Sequence, residues 1–335
     1  YYASRGLGDV YKRQPYDRTW FDRLNSAYQL RYIEKAFSPE TAQEASGCRA
    51  MVAFVNDRLD EASLKAAHDV GVRLICMRCA GYNNVDLAAA EKLGLTVTTA
   101  ANYSPHAVAE HAMALTLALN RHLHVSFRRT RAFDFTLHGL TGFDLYGKTA
   151  GIVGTGRIGR AYERICRGFD MRTIAYDPFP APESGIRYVS LDELLFESEV
   201  ISLHCPLTPE SRHMIGEKEL RRMKRSALLI NTSRGALIDS RALLDALRQG
   251  EIRGAALDVY EKESGVFYHD TSESSDRDES LSLLVTLPNA IVTAHQGFLT
   301  DEALSEIAAS VLTTLDQFFS GRTPAAAVTK RLQFA

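Results

Sequence analysis

Thr149-Ala-Gly-Ile-Val-Gly-Thr-Gly-Arg-Ile-Gly-Arg160 decides the fold of this chain. Ala150, Ile152 and Val153 make a short apolar strand, and Ile158, Ala161, Ile165 and Phe169 recur at helical spacing behind it. Between them lies a loop in which Gly154, Gly156 and Gly159 each have a task. The first permits the tight turn. The second lets main-chain N–H groups approach a pyrophosphate, and the third lets helix lie close on strand. A second strand, Arg172-Thr-Ile-Ala-Tyr-Asp177, ends on an acid 18 residues after Gly159. A carboxylate there accepts the ribose hydroxyls of NAD and repels the 2′-phosphate of NADP. An ordinary strand–turn–helix needs glycine for its turn alone. Strand, glycines, helix, strand and acid in register point to NAD.

The length of 335 residues suits about two domains, each with a sizeable core. A formal net charge of −2 gives no reason to expect nucleic acid or an anionic membrane as partner. No apolar run is long enough to span a bilayer, and no secretory pattern opens the chain. Cys48, Cys76, Cys79, Cys166 and Cys205 are odd in number and lie mostly in apolar segments. That fits reduced thiols in a cytoplasm better than a disulfide framework. Cys76-Met-Arg-Cys79 has neither a second cysteine pair nor a nearby histidine, so it reads as strand thiols, and no metal site is expected.

From Pro15 onward strands and helices alternate. Strands near Leu30–Lys35, Met51–Val55, Arg73–Met77 and Leu95–Thr99 are interleaved with helices near 17–27, from about 38, 61–70 and 85–93. A second series of strands follows the glycine loop at Val200–Cys205, Ala227–Thr232, Ala255–Val259 and Ala290–Ala294. This spacing predicts two doubly wound parallel sheets. Between them one long helix is predicted over about Pro105–Arg131, from the near-helical recurrence of Val108, Ala112, Leu115, Leu119 and Leu123. His106, His111, His122 and His124 do not have the i, i+4 spacing of a helical zinc site and read as surface or packing residues. Residues 264–284 are polar, acidic and serine-rich, which predicts a solvated surface loop. Asp301–Phe319 reads as a final amphipathic helix ending at Gly321.

In open α/β sheets ligands sit at the carboxyl ends of the strands. Four segments lie there: His204-Cys-Pro-Leu, Asn231-Thr-Ser-Arg-Gly235, Asp258-Val-Tyr-Glu-Lys-Glu263 and His295-Gln-Gly-Phe298. Each alone is weak, since strand-end arginines are often surface cations and strand-end histidines are often packed. Together they meet the needs of a 2-oxo acid. Arginine offers a planar fork to a carboxylate. A protonated histidine gives the carbonyl oxygen its proton while hydride arrives from a nicotinamide. A carboxylate on the other ring nitrogen fixes the tautomer and favours the charged imidazole.

At this point the chain resembles the D-specific 2-hydroxyacid dehydrogenase family, and within it most the fermentative NAD-dependent D-lactate dehydrogenases. The resemblance runs from about Pro15 to near the C-terminus. It is carried by Phe54-Val-Asn-Asp57, Arg78-Cys-Ala-Gly-Tyr-Asn-Asn-Val-Asp86, Tyr103-Ser-Pro, Ala109-Glu-His111, Gly139-Leu-Thr-Gly142, Tyr146–Gly154, Asn231–Ala236 and His295–Phe298. It implies reduction of pyruvate to D-lactate, with Arg234 on the carboxylate, His295 as acid/base and Glu263 as its partner. Glu261 is the competing carboxylate. Glu263 is preferred because the family's glutamate lies five residues after the strand-end aspartate, here Asp258. Ala80, Gly81, Tyr103 and Phe298 are implied as further substrate contacts. Gly154, Gly156, Arg157, Ile158, Gly159, Asp177, His204, Cys205, Pro206, Thr232, Ser233 and Asp258 are implied around NAD.

The family fold implies a flavodoxin-like substrate domain from 15–102 and 297–335, a Rossmann cofactor domain from 103–296, and a cleft between them. It also implies a homodimer joined through the cofactor domain. Alternatives are a dehydrogenase for a bulkier 2-oxo acid, such as 2-oxoisocaproate or phenylpyruvate, and an NAD(H)-sensing scaffold. Residues 1–14 match nothing in the family. They show no apolar run where a buried first strand is needed, and are expected to be a non-native head in place of that strand.

Overall fold

The computed structural model describes residues 7–11, 15–55, 57–101 and 103–329. It comprises two compact units, one running to Ser104 and resuming at Leu299, the other spanning Pro105–Phe298. These breaks lie two residues beyond the expected ones. The first falls where Pro105, fitted to a first helical position, opens a helix whose apolar residues pack in the second unit.

The chain runs β1 (Leu7–Tyr11), α1 (Pro15–Leu24), β2 (Gln29–Ile33), β3 (Ala50–Ala53), α2 (Glu61–Asp69), β4 (Leu74–Met77), α3 (Leu87–Lys92) and β5 (Thr96–Thr99). The second unit continues with α4 (Pro105–Asn120), α5 (Leu123–Arg131), β6 (Thr149–Val153), α6 (Arg157–Gly168), β7 (Arg172–Tyr176), β8 (Arg187–Tyr188) and α7 (Leu191–Glu197). It is completed by β9 (Val200–Leu203), α8 (Glu217–Arg222), β10 (Leu228–Asn231), α9 (Ser240–Gln249), β11 (Gly254–Leu257), α10 (Glu279–Leu284) and β12 (Ala290–Val292). The last helix, α11 (Asp301–Phe319), returns to the first unit.

In the first unit five parallel strands lie in the order β2-β1-β3-β4-β5. β3 and β4 are buried along their whole length, which is why both read as unbroken apolar runs. Phe21 of α1 and Ala308, Val311 and Leu315 of α11 pack on Ala50, Val52, Leu74 and Cys76. Asp60 and Asp86 cap α2 and α3 by accepting the main-chain N–H of Ser63 and Ala89.

The expectation that the head supplies no strand is overturned. Leu7–Tyr11 is the inner strand β1, paired with β2 from Leu7↔Gln29 to Tyr11↔Ile33 and with β3 from Gly8↔Ala50 to Val10↔Val52. Strand pairing uses main-chain groups that every residue but proline carries in full. Side-chain polarity therefore does not reveal this strand. The rest of the head lies outside the described residues.

The second sheet has seven parallel strands in the order β12-β11-β10-β9-β6-β7-β8. Alternate residues feed its two faces. Ile152, Leu228 and Ile230 join Met113, Leu119 and Tyr162 on one side. Val153, Leu229 and Leu257 join Leu194, Leu243 and Leu247 on the other. Each such leucine or isoleucine contributes about 1.5–3 kcal/mol by leaving water. The strand order reverses between β6 and β9, so a crevice opens there at their carboxyl ends.

The helix predicted over 105–131 is two helices. Asn120 ends α4 by exchanging hydrogen bonds with the main chain of Phe143, at 2.7 and 3.0 Å. His122 then takes a left-handed conformation, φ 50°, before α5 begins. Among the described residues no helix is long and apolar enough to cross a membrane.

Candidate active site

Gly154 follows β6 in a left-handed conformation, φ 92°. A Cβ on it would lie 2.8 Å from the main-chain carbonyl of His204, at the end of β9, so the two strand ends meet at the switch point. A Cβ on Gly159 would lie 2.0 Å from the Gly154 oxygen, which explains the close helix–strand packing. A Cβ on Gly156 would meet nothing within 4 Å. The main chain at the start of α6 therefore faces open space, the cradle a pyrophosphate requires.

Beside this loop is a cavity of about 520 Å³ lined by Gly154, Gly156, Asp177, Pro178, Phe179, His204, Cys205, Pro206 and Met214 among others. Asp177 stands just after β7. One of its oxygens accepts from the Thr155 N–H at 2.7 Å and hydroxyl at 2.9 Å, and the other from the Phe179 N–H at 2.9 Å. Burial acts to raise this carboxyl, but the Thr155 and Phe179 hydrogen bonds hold it below its ordinary value. It is anionic at neutral pH, as discrimination against a 2′-phosphate requires.

Burial pushes the His204 imidazole down to about 3 and the Cys205 thiol up to about 11, so both are neutral walls. His204 Nε2 meets the Ser202 hydroxyl at 2.9 Å. Its Nδ1 and the Thr232 hydroxyl are buried without a hydrogen-bond partner among the described residues. Such atoms call for a polar ligand. The donor set, the open glycine cradle and the anionic Asp177 fit NAD. Arg157 is exposed at the first position of α6, and Ile158 packs under the helix.

The remaining strand ends carry an arginine, two glutamates and a histidine. After β10, Asn231 holds its loop by accepting from the Ser233 N–H and donating to the Arg234 carbonyl, at 3.0 and 2.9 Å. The Ser233 hydroxyl donates to the Cys205 carbonyl at 2.5 Å. Arg234 is half-buried and one guanidinium nitrogen lies 2.7 Å from the Ser233 carbonyl. After β12, His295 takes φ 52°, and its Nδ1 lies 3.0 Å from Glu263 Oε1. Glu263 is steadied by the Tyr260 N–H at 3.2 Å. Glu261 is committed elsewhere: Arg212 and His213 hold it at 2.8 and 2.7 Å. The structure thus joins His295 to Glu263.

Asp258, expected around the cofactor, is 1% exposed, and both its oxygens are taken by protein donors. They come from the Thr293 hydroxyl (2.5 Å) and the N–H groups of Gln296 (2.9 Å) and Gly297 (2.8 Å). His111 Nε2 lies 3.2 Å from the same carboxylate. Burial acts to raise Asp258, but His111, Thr293 and Gln296 hold it below the usual range.

Two expectations are corrected here. His111 is no packing residue, since it pairs with an anion. The stretch 264–284 is more than a solvated loop. Phe267 is buried, Glu279–Leu284 is helical, and the Tyr268 hydroxyl donates to the His295 carbonyl at 2.8 Å. Asp278 draws in Tyr260 and Lys262, at 2.5 and 3.2 Å. No local spacing announces these links, because the partners are 16 or more residues apart.

In the first unit Ala80 is exposed and Gly81 half-buried in the turn after β4, with the Cys79 thiol 3.2 Å from the Gly81 carbonyl. Tyr103 is half-buried there, while Phe298 is buried in the second unit. Arg78, quoted in the sequence motif without a role, is 2% exposed. It pairs with Asp17 at 2.8 Å and stacks 4.1 Å over the Phe54 ring.

A family model, D-isomer specific 2-hydroxyacid dehydrogenase, NAD binding domain, matches residues 113–297. D-lactate dehydrogenase of Escherichia coli is 44% identical over 319 residues, covering 94% of this chain and 97% of that protein. The chain belongs to the D-isomer specific 2-hydroxyacid dehydrogenase family. 2-Hydroxyacid dehydrogenase A of Aspergillus oryzae is 46% identical over 321 residues, covering 94% of this dehydrogenase and 92% of the relative. A solved structure titled as the identification of the pyruvate reductase of Chlamydomonas reinhardtii superposes with a TM-score of 0.90 at 38% identity. It covers 97% of this chain and 99% of its own. This protein is an NAD-dependent D-2-hydroxyacid dehydrogenase.

Proposed function

We propose that this dehydrogenase reduces pyruvate to D-lactate with NADH, reversibly, using Arg234, His295 and Glu263. The observation that carries this reading is the 3.0 Å pair of His295 Nδ1 and Glu263. A carboxylate acceptor on Nδ1 requires that nitrogen to carry its proton, which leaves Nε2 to face the substrate. In the charged ring Nε2 also holds a proton, which it gives to the carbonyl oxygen as the C–O bond becomes an alcohol. Glu263 offsets the imidazolium charge until that transfer. A positioned acid of this kind contributes about 10²–10⁴-fold.

NAD in its reduced form supplies the hydride. The Gly154–Gly159 loop, Asp177, His204 and Thr232 hold it. Arg234 takes the substrate carboxylate with its guanidinium fork, and a lysine would lose that planar match. Phe298 is assigned to the wall around the methyl group. Ala80, Gly81 and Tyr103 are assigned as substrate contacts on the resemblance. Pyruvate is favoured over bulkier 2-oxo acids by the names of the relatives from Escherichia coli and Chlamydomonas reinhardtii.

A homodimer through the cofactor domain is part of this proposal. Leu123, Phe127, Phe133, Phe135, Leu137 and Tyr146 are exposed within a short span of the second unit. Apolar exposure of this kind supports an association surface.

Initial rates of NADH oxidation with pyruvate, 2-oxobutyrate, 2-oxoisocaproate and phenylpyruvate test the reading, with the product's configuration assigned. Pyruvate should have the highest kcat/KM and yield D-lactate. A higher kcat/KM for phenylpyruvate or 2-oxoisocaproate would replace the substrate, and an L-product would overturn the assignment.

A further inference from the structure

We propose that His111 is a positioning residue for the reaction, fixing Asp258 and, through it, the turn that carries His295. The proposal rests on the reading of His295 as the acid/base.

The turn leaving β12 is not self-supporting. His295 occupies the left-handed region, φ 52°, which is strained for a residue other than glycine and persists only where neighbours impose it. Asp258 imposes it. Its main-chain carbonyl accepts the His295 N–H at 2.7 Å. Its side chain accepts the Thr293 hydroxyl and the N–H groups of Gln296 and Gly297, on either side of His295 in the chain. One aspartate thus fixes the turn at four points.

A buried carboxylate is held firmly only where donors satisfy its oxygens, because burial without partners is strongly unfavourable. A further donor reaches it from His111 on α4, with Nε2 3.2 Å from Asp258 Oδ1 and 3.3 Å from the Thr293 hydroxyl oxygen. An ionised carboxylate only accepts, so His111 carries its proton on Nε2. The ring is well anchored, since Ala109, Ala112 and Met113 beside it are buried against the sheet. It also abuts the turn directly. A Cβ on Gly297 would lie 3.0 Å from Asp258 Oδ2 and 3.4 Å from His111 Cδ2, so glycine lets the main chain close on both.

The test compares His111→Leu with His111→Gln, whose amide keeps an N–H donor near the Nε2 position. The readouts are kcat, KM for pyruvate, NADH affinity by fluorescence and the melting temperature. A misplaced general acid loses on the order of 10²-fold. His111→Leu should show a fall of that order in kcat with KM and NADH affinity little changed, and His111→Gln should recover most of it. Unaltered kcat in His111→Leu, or equal impairment of both variants, overturns the proposal. Should His111→Leu not fold, His111→Asn, whose amide is too short to reach Asp258, takes its place: a similar fall in kcat supports the proposal, and an unaltered kcat overturns it. His295→Ala separates the two claims. Normal turnover there removes the acid/base assignment itself, whereas an inactive His295→Ala beside a normal His111→Leu removes only the role of His111.

Discussion

The carboxyl ends of β6 and β7 and those of β10, β11 and β12 lie on one sheet but are built by opposite means. The first is made of main chain. Gly154, Gly156 and Gly159 shape it, and Asp177 closes it within one strand–helix–strand unit. The second is made of side chains reaching from far along the sequence: His111 to Asp258, Glu263 to His295, Tyr268 to the His295 carbonyl. A loop that binds a pyrophosphate needs only N–H groups at a helix start, which a local motif provides. A proton-transfer site needs its acid held to within a fraction of an ångström, which requires supports from several directions.

The glycines sharpen that contrast most. Gly159→Ala places a Cβ against the Gly154 oxygen, so it should destabilise the unit by about 1–3 kcal/mol or more, seen as a lower melting temperature. Gly156→Ala places its Cβ in open space, so melting should be unchanged while NADH affinity falls. Equal melting temperatures for the two variants would erase the distinction between packing glycine and binding glycine.

A smaller effect is expected at Asp177. The unaltered enzyme should prefer NADH to NADPH in kcat/KM, and Asp177→Asn should narrow the gap by removing the charge that repels a 2′-phosphate. Comparable kcat/KM for both cofactors in the unaltered enzyme would deny Asp177 this role.

The same contrast explains what could be read from the sequence. The glycine loop, Asp177 and the buried strands were legible because periodicity and local spacing encode them. In the sequence only the family resemblance separates Glu263 from Glu261. Nothing in the segment itself tells that Arg212 and His213 draw Glu261 away. The contact of His111 is not legible, because a helical histidine reveals nothing of an aspartate 147 positions later in the chain. The helix break at His122 was hidden for the same reason, since Asn120 is held by Phe143. β1 is not legible in side-chain polarity, because main-chain pairing forms it.

Whether the chemistry resides in the His295–Glu263 pair is decided by the pH profile of pyruvate reduction in Glu263→Gln and Glu261→Gln. Reduction requires the protonated acid, so its rate is lost as pH rises and the proton leaves. Without the Glu263 charge the proton leaves sooner. Glu263→Gln should therefore move the alkaline limb to lower pH and lower kcat, while Glu261→Gln should leave the limb in place. A limb unmoved in Glu263→Gln and displaced in Glu261→Gln would contradict the assignment.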